Sequence, residues 1–256
     1  MTATAQSAMD PLVLVHGWGM HSSIWAGLPP SFGAGRRIHC VDLPGHSETG
    51  YRQTPATLDG WASECLARAP RRAVWIGWSL GGLVSIAAAL LQPERVAALV
   101  LMCSTPRFVC SGDWTAGLDP QILDRFHENL LVAPKKTLDQ FLGLQVRGSD
   151  AARETLRVLR RDLAARPLPA AAALAEGLDL LKGEDLRDRL QWLGCRSLWI
   201  FGSKDTLVSA SAAAGVARLL PGARTHIVDG AGHAPFLSHP AATLTQLERF
   251  LTEIPS

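Results

Sequence analysis

Ser79 stands in Gly77-Trp78-Ser79-Leu80-Gly81-Gly82, directly after the apolar run Ala73 to Ile76 and directly before a stretch of helical length, Leu80 to Leu91. A serine held at a sharp strand-to-helix turn and framed by glycines is presented for attack on a carbonyl, because residues with a Cβ would crowd the backbone there. A hydroxyl is a poor nucleophile at neutral pH without a base, and histidine is the side chain whose pKa lies near that pH. Of the 8 histidines, His233 lies in Asp229-Gly230-Ala231-Gly232-His233-Ala234-Pro235-Phe236, a glycine-rich loop just beyond the last strand run. That places it at the same sheet edge as Ser79. His239 precedes Pro240 at the start of the final helix, where a surface or capping role is expected. His21, His39, His46, His127 and His226 lack such a loop and are expected to be structural or solvent-facing, and His16 to fix its own loop.

An imidazole that takes a proton needs one tautomer and a balancing charge, hence a carboxylate from another loop at the same edge. Asp205, in Gly202-Ser203-Lys204-Asp205 after the run Ser197 to Phe201, meets that need and gives the chain order Ser, Asp, His. Asp229 is so close to His233 in sequence that loop capping is its expected role. Acyl transfer also requires backbone N–H donors for the developing oxyanion. Leu80, the residue after the nucleophile, supplies one, and Trp18, in His16-Gly17-Trp18-Gly19 after the first strand run, supplies the other. No phosphate-cradling G-x-x-x-x-G-K, dinucleotide G-x-G-x-x-G or H-E-x-x-H sequence is present, so no cofactor or metal is expected. Asp42-Leu43-Pro44-Gly45-His46-Ser47 offers one carboxylate and one histidine, an incomplete ligand set, and reads as a turn.

The elements that must position these residues follow from pattern. Short runs at Leu12 to Val15, Ile38 to Val41, Ala73 to Ile76 and Ala98 to Met102 are largely apolar on both faces, as in strands of a parallel sheet covered on both sides by helices. The helix Leu80 to Leu91 stops before Gln92-Pro93. Between about Phe108 and Leu190 strand runs vanish, and helices are predicted at Pro120 to Leu131, Thr137 to Leu144, Ala151 to Ala165 and Ala170 to Leu181. The pattern resumes with strand Ser197 to Phe201, a helix near Ala210 to Leu220, strand Thr225 to Val228 and a last helix from about Ala241 to Leu251. One α/β domain is expected over residues 1–256, with a core at 11–107 and 191–256 and a helical cap or lid at 108–190 over the ligand-binding crevice.

The 256 residues are 47% apolar and 19% charged, a globular composition, and the net charge of +2 lacks the basic density of a nucleic-acid binder. No apolar run approaches the roughly 20 residues that span a bilayer, and Met1 to Asp10 shows no secretory signal, so a cytoplasmic location is expected. Five scattered cysteines, Cys40, Cys65, Cys103, Cys110 and Cys195, read as reduced, buried apolar groups rather than a disulfide or zinc framework.

These motifs, in this order and across nearly the whole chain, resemble the α/β-hydrolase superfamily. More narrowly, Val15-His16-Gly17-Trp18-Gly19-Met20, Gly77 to Val84, His233-Ala234-Pro235-Phe236-Leu237-Ser238-His239-Pro240 and Phe141-Leu142-Gly143-Leu144-Gln145 are similar to the pimeloyl-[acyl-carrier protein] methyl ester esterases of biotin synthesis. The resemblance implies an α/β-hydrolase fold, a mostly parallel sheet flanked by helices with a helical cap insertion. It implies hydrolysis of a carrier-bound methyl ester to the acid and methanol, with an acyl carrier protein as partner and a monomeric enzyme. It makes Trp18, Ser79, Leu80, Phe141, Leu142, Gly143, Leu144, Gln145 and His233 substrate contacts. One departure is that only about ten residues precede the first strand, so early strands usual in the superfamily are short or missing.

An acidic carrier calls for a basic surface beside the pocket. Lys135 to Arg166 holds eight basic residues against four acidic ones, and on the helix Ala151 to Ala165 the apolar Ala152, Leu156, Leu159 and Leu163 share one face while Arg153, Arg157 and Arg160 share another. Lys136, Arg153, Arg157 and Arg160 are the expected docking residues, although a charged outer face is also what an ordinary solvated helix shows. The rival readings are a general short-chain carboxylesterase or C–C bond hydrolase with the same three residues, and, further off, a non-catalytic binding protein of the same fold.

Overall fold

Six short apolar segments pair into one all-parallel sheet in the order β2-β1-β3-β4-β5-β6. The strands are β1 (Leu12–Val15), β2 (Ile38–Val41), β3 (Ala73–Trp78), β4 (Val96–Met102), β5 (Arg196–Gly202) and β6 (Arg224–Val228). This computed structural model describes residues 9–254 other than 30, 34, 48–50 and 52–55. Of the segment read as carrying no secretory signal, residues 1–8 lie outside the described ones. The register aligns Val15 with Gly77, Gly77 with Leu101, Met102 with Ile200 and Gly202 with Val228. The loops that follow β1, β3, β5 and β6 therefore leave from one edge, where open parallel sheets bind their ligands.

β1 and β3 are buried at every position, and β4 and β5 at all but one. The expectation of a strand apolar on both faces fails at Ile38 to Val41, where β2 exposes Ile38, His39 and Cys40; β6, at the other end of the sheet, likewise exposes Arg224, Thr225 and Ile227. Both are edge strands with one neighbour, so helices cover them incompletely. Cys40 is consequently exposed, and Cys110 and Cys195 are half-buried, leaving Cys65 and Cys103 as the buried thiols.

Helix α1 (Leu58–Arg68), between β2 and β3, was not located by the sequence reading; Thr57 caps it by accepting the Gly60 N–H, and Leu58, Trp61, Ala62, Cys65 and Leu66 form its buried stripe. Helix α2 (Leu80–Leu91) is buried from Leu80 to Ala89 on all sides, so tertiary packing holds it rather than an amphipathic stripe. Between β4 and β5 come α3 (Pro120–Val132), α4 (Pro134–Val146), α5 (Ala152–Ala164) and α6 (Ala171–Gly183). Prolines at the first turns of α3 and α4 set their starts, as a ring without an N–H fits there. After β5 follow α7 (Ala212–Leu219), then β6, α8 (Pro235–Ser238) and α9 (Pro240–Leu251).

The inserted helices α4, α5 and α6 are fastened to the loops at the sheet edge. Trp18 Nε1 donates to Leu174 O (2.8 Å), His233 N to Gln145 O (2.8 Å), Asp150 N to Gly230 O (3.0 Å), Ala170 N to Gly45 O (2.9 Å) and Thr206 Oγ1 to Leu144 O (3.0 Å). Each such bond contributes about 1 kcal/mol, and together they span the loops after β1, β2, β5 and β6.

Candidate active site

Ser79 is the residue between β3 and α2, and the turn is as sharp as the glycine frame requires. Its backbone has φ 55° and ψ −121°, a strained conformation for a residue with a side chain. Main-chain bonds hold it: Ser79 N donates to Met102 O (3.0 Å), and Ser79 O accepts from Gly82 N (2.9 Å) and from Ser104 Oγ (2.9 Å). A Cβ at Gly77 would stand 2.4 Å from Gly81 O, and one at Gly81 would stand 2.4 Å from both Val15 O and His16 O. These contacts are with backbone and admit only glycine.

Asp205 follows β5 and His233 follows β6, and the structure brings their side chains together. His233 Nδ1 lies 2.7 Å from Asp205 Oδ2, with both side chains at 1% exposure or less. Asp205 Oδ1 is occupied by the N–H groups of Leu207 (2.8 Å) and Val208 (3.1 Å), which leaves Oδ2 for the imidazole. A carboxylate oxygen accepts, so Nδ1 carries the hydrogen, and in the neutral ring Nε2 is left with its lone pair. Nε2 is buried and has no hydrogen-bond partner among the described residues. The main chain of His233 is fixed on both sides, its N–H by Gln145 O and its carbonyl by Trp78 Nε1 (2.7 Å). Trp78 is thus a support that the sequence reading missed; its place beside Ser79 was the available signal.

The loop after β1 runs beside the serine, since a Cβ at Gly17 would lie 3.2 Å from Ser79 Cβ. Among the described residues neither the Trp18 N–H nor the Leu80 N–H has an acceptor, which leaves both available to an oxyanion. Asp229 accepts from Ser203 Oγ (2.9 Å), whose oxygen in turn accepts from Gly230 N (2.9 Å), so it is occupied with the loop, while His233 Nδ1 pairs with Asp205. His239 pairs with Ser238 Oγ (2.9 Å) ahead of α9.

Cys103, at the end of β4, joins the pair: its sulfur, one Asp205 oxygen and one His233 nitrogen lie within 4.8 Å of one another. The thiol donates to Gly232 O (3.7 Å), and burial together with the Asp205 charge pushes its pKa well up, so it stays protonated. This is the one group of metal-ligating side chains found among the described residues, and its Nδ1 and carboxylate are already joined by a hydrogen bond suited to moving a proton. Its proximity to the acid was not read from the sequence; the only clue was its position at a strand's C-terminal end.

The run Phe141 to Gln145 is one turn of α4, and a helix cannot turn five consecutive side chains to one side. Phe141 is buried edge-on against the Trp18 ring (4.8 Å), and Gln145, one turn later, is buried with its Oε1 unpartnered among the described residues. Leu142 is buried, Gly143 is half-exposed, and the Leu144 side chain lines an outer groove with Ile122, Phe126 and Gln140. The resemblance implies that all five meet substrate; by the helical period Phe141, Leu144 and Gln145 share one face of α4, while Gly143 lies on the opposite one. Ser79, Asp205 and His233 are at most 9% exposed, so the site is shut beneath α4 and α6 in this structure.

The basic residues on α4 and α5 do reach solvent. Arg157 forms a two-point pair with Glu154, and Arg160 one with Asp139. Lys136 and Arg153 are exposed and have no acidic partner among the described residues.

Residues 12–246 match the model of the alpha/beta hydrolase family. The chain is 42% identical over 237 residues to a pimeloyl-[acyl-carrier protein] methyl ester esterase of Edwardsiella ictaluri, covering 93% of this chain and 91% of that one. It is 42% identical to the protein of the same name from Xanthomonas campestris pv. campestris (95% and 96% covered) and 38% identical to that from Vibrio cholerae (94% and 94%). Among solved structures it superposes on a bromoperoxidase from Bacillus anthracis with a TM-score of 0.85 at 21% identity (96% and 92% covered), and on an esterase from Exiguobacterium antarcticum with 0.83 at 19% (96% and 93%).

Proposed function

The chain belongs to the alpha/beta hydrolase family, and from that membership together with the site geometry we propose that it is a serine carboxylesterase cleaving the methyl ester of pimeloyl-[acyl-carrier protein]. The observation that carries the chemistry is the orphan Nε2 of His233, buried at the sheet edge that holds Ser79, with its Nδ1–H committed to Asp205. The substrate rests on the similarity to named esterases over more than nine-tenths of both chains.

In this reading Ser79 Oγ attacks the ester carbonyl as Nε2 takes its proton, and the N–H groups of Trp18 and Leu80 receive the oxyanion. The imidazolium, its charge balanced by Asp205, returns the proton to the departing methoxy oxygen, and methanol leaves an acyl-serine. Water attacks that ester, giving its proton to Nε2, and the free acid forms as the proton passes back to Ser79 Oγ. Residues 108–190 act as the cap and 11–107 with 191–256 as the core, and the cap must open to admit the acyl chain. Phe141 and Gln145 are the cap's substrate contacts.

The acyl carrier protein docks on α4 and α5 through Lys136, Arg153, Arg157 and Arg160. Lys136 and Arg153 offer charge with no acidic partner among the described residues, whereas Arg157 and Arg160 must exchange Glu154 and Asp139 for carrier carboxylates. No helix among the described residues is long and apolar enough to cross a membrane; the five free cysteines fit a reducing compartment, and in this reading the enzyme works in the cytoplasm as a monomer. The test is Arg153→Glu with Arg157→Glu. KM for the carrier-bound ester should rise, and the salt dependence of that rate should flatten, with p-nitrophenyl butyrate turnover unchanged. Equal loss on both substrates would remove the docking assignment.

A further inference from the structure

The two glycines around Trp18 let the loop approach Ser79, but they also make it the backbone least restrained by its own residues. Gly19 has φ +71°. The Trp18 N–H shares a rigid plane with the Gly17 carbonyl, so whatever holds that oxygen aims the N–H in the opposite direction. His16 holds it, with Nδ1 donating to Gly17 O (2.8 Å) beside the Met20 N–H (3.3 Å), while its Nε2 is anchored between the Leu43 N–H (3.1 Å) and Asp42 Oδ1 (3.4 Å).

The next plane, Trp18–Gly19, is held by a second imidazole. Gly19 N donates to His46 Nε2 (3.3 Å), and His46 Nδ1 donates to Pro44 O (2.9 Å). The two rings are completely buried, 5.3 Å apart, and His46 is wedged edge-on against Trp61. With both nitrogens engaged by main chain, His46 has no proton to offer a substrate. Burial, with His16 beside it, lowers its pKa to about 3, so the accepting lone pair persists throughout the neutral range.

We propose that His46 is a positioning residue for the oxyanion site: by accepting the Gly19 N–H it completes the grip on the two peptides around Trp18 and keeps the Trp18 N–H aimed at the developing charge. The inference rests on Ser79 as nucleophile and Trp18 as donor. A group that acts only through this N–H matters more to the tetrahedral state than to the bound ester.

The test compares His46→Leu, which fills the volume without an acceptor, with His46→Gln, whose amide oxygen reaches the place of Nε2, and His46→Asn, whose oxygen falls short. Each is assayed for kcat and KM on p-nitrophenyl butyrate and for inhibition by a butyl trifluoromethyl ketone, which forms an oxyanion with the serine, and by butyrate, which does not. The Leu and Asn variants should lose about 10- to 100-fold in kcat and the same factor in ketone affinity, with KM and butyrate inhibition within about threefold. The Gln variant should recover most of both. Should Leu fail to fold, the comparison of Gln with Asn decides alone. Ketone affinity that stays put while kcat falls, parallel loss of butyrate binding, or equal behaviour of Gln and Asn overturns the proposal. Ser79→Ala runs alongside: if it still turns over, the nucleophile assignment falls and takes this inference with it, whatever the His46 variants do.

Discussion

Gly202→Ala tests the claim that the acid and base loops are pressed into one fixed geometry. Gly202 ends β5, three residues before Asp205, and a Cβ there would stand 2.2 Å from Gly232 O and 2.4 Å from Ala231 O. Both are main-chain oxygens of the loop that carries His233, so no side-chain rotation relieves the overlap. Restoring ordinary contact needs the loop to retreat by roughly 1 Å. That movement pulls on Lys204 N to Ala231 O (2.8 Å) and Ser203 N to Val228 O (3.0 Å), and it opens the 2.7 Å contact between His233 and Asp205. Overpacking of this kind costs about 1–3 kcal/mol of stability, and a 1 Å misplacement at a reacting group costs about 10²-fold in rate. The expected variant is folded, with a lowered Tm and kcat/KM on p-nitrophenyl butyrate down about a hundredfold. Gly222→Ala, with nothing within 4 Å of its Cβ, should leave both unchanged. A Gly202→Ala enzyme with wild-type rate per folded molecule would refute the reasoning, whatever its Tm.

Asp205→Asn retains an oxygen for the Leu207 and Val208 N–H groups but no longer fixes the imidazole tautomer, so kcat should fall about 10⁴-fold with little change in Tm; activity within tenfold of wild type would contradict the assigned role. Gly143→Ala, in the middle of α4 with open space around its Cβ, should raise stability by about 0.5–1 kcal/mol and leave KM alone, and a large KM increase would restore Gly143 as a substrate contact. His46 stays neutral in the native state down to about pH 3, whereas its unfolded form takes a proton near its ordinary pKa of 6.5. Stability therefore falls as pH drops through that window, by up to about 1.4 kcal/mol per pH unit from this residue, and His46→Gln should flatten the Tm-versus-pH curve between pH 4 and 6.5. Parallel curves for the two proteins would contradict it.

The nucleophile turn was legible because its two requirements, glycine spacing and a strand-to-helix switch, both lie within one short segment, and the predicted helix Leu80 to Leu91 matches α2. Asp205 and His233 were legible from their places after successive strand runs, since parallel register alone delivers such loops to one edge. The sheet margins were not: Ile38 to Val41 reads like a central strand, and only the strand order reveals an edge. Helix α1 escaped although Leu58, Trp61, Ala62, Cys65 and Leu66 have helical spacing and Thr57 stands at the N-cap, because Gly60 in its first turn and a polar approach through Pro55 read equally well as a turn. The roles of Cys103, Trp78 and His46 depend on contacts between loops 27 or more residues apart in sequence, which no local pattern encodes.

The most direct test of the proposed function is the initial rate of the purified enzyme on methyl pimeloyl carrier protein beside an equal concentration of p-nitrophenyl butyrate, with Ser79→Ala as the blank. A strong preference for the carrier-bound ester, abolished in the blank, is the predicted result. Turnover of the small ester alone would contradict the carrier-bound substrate and leave a general esterase, and turnover by the blank would contradict the nucleophile itself.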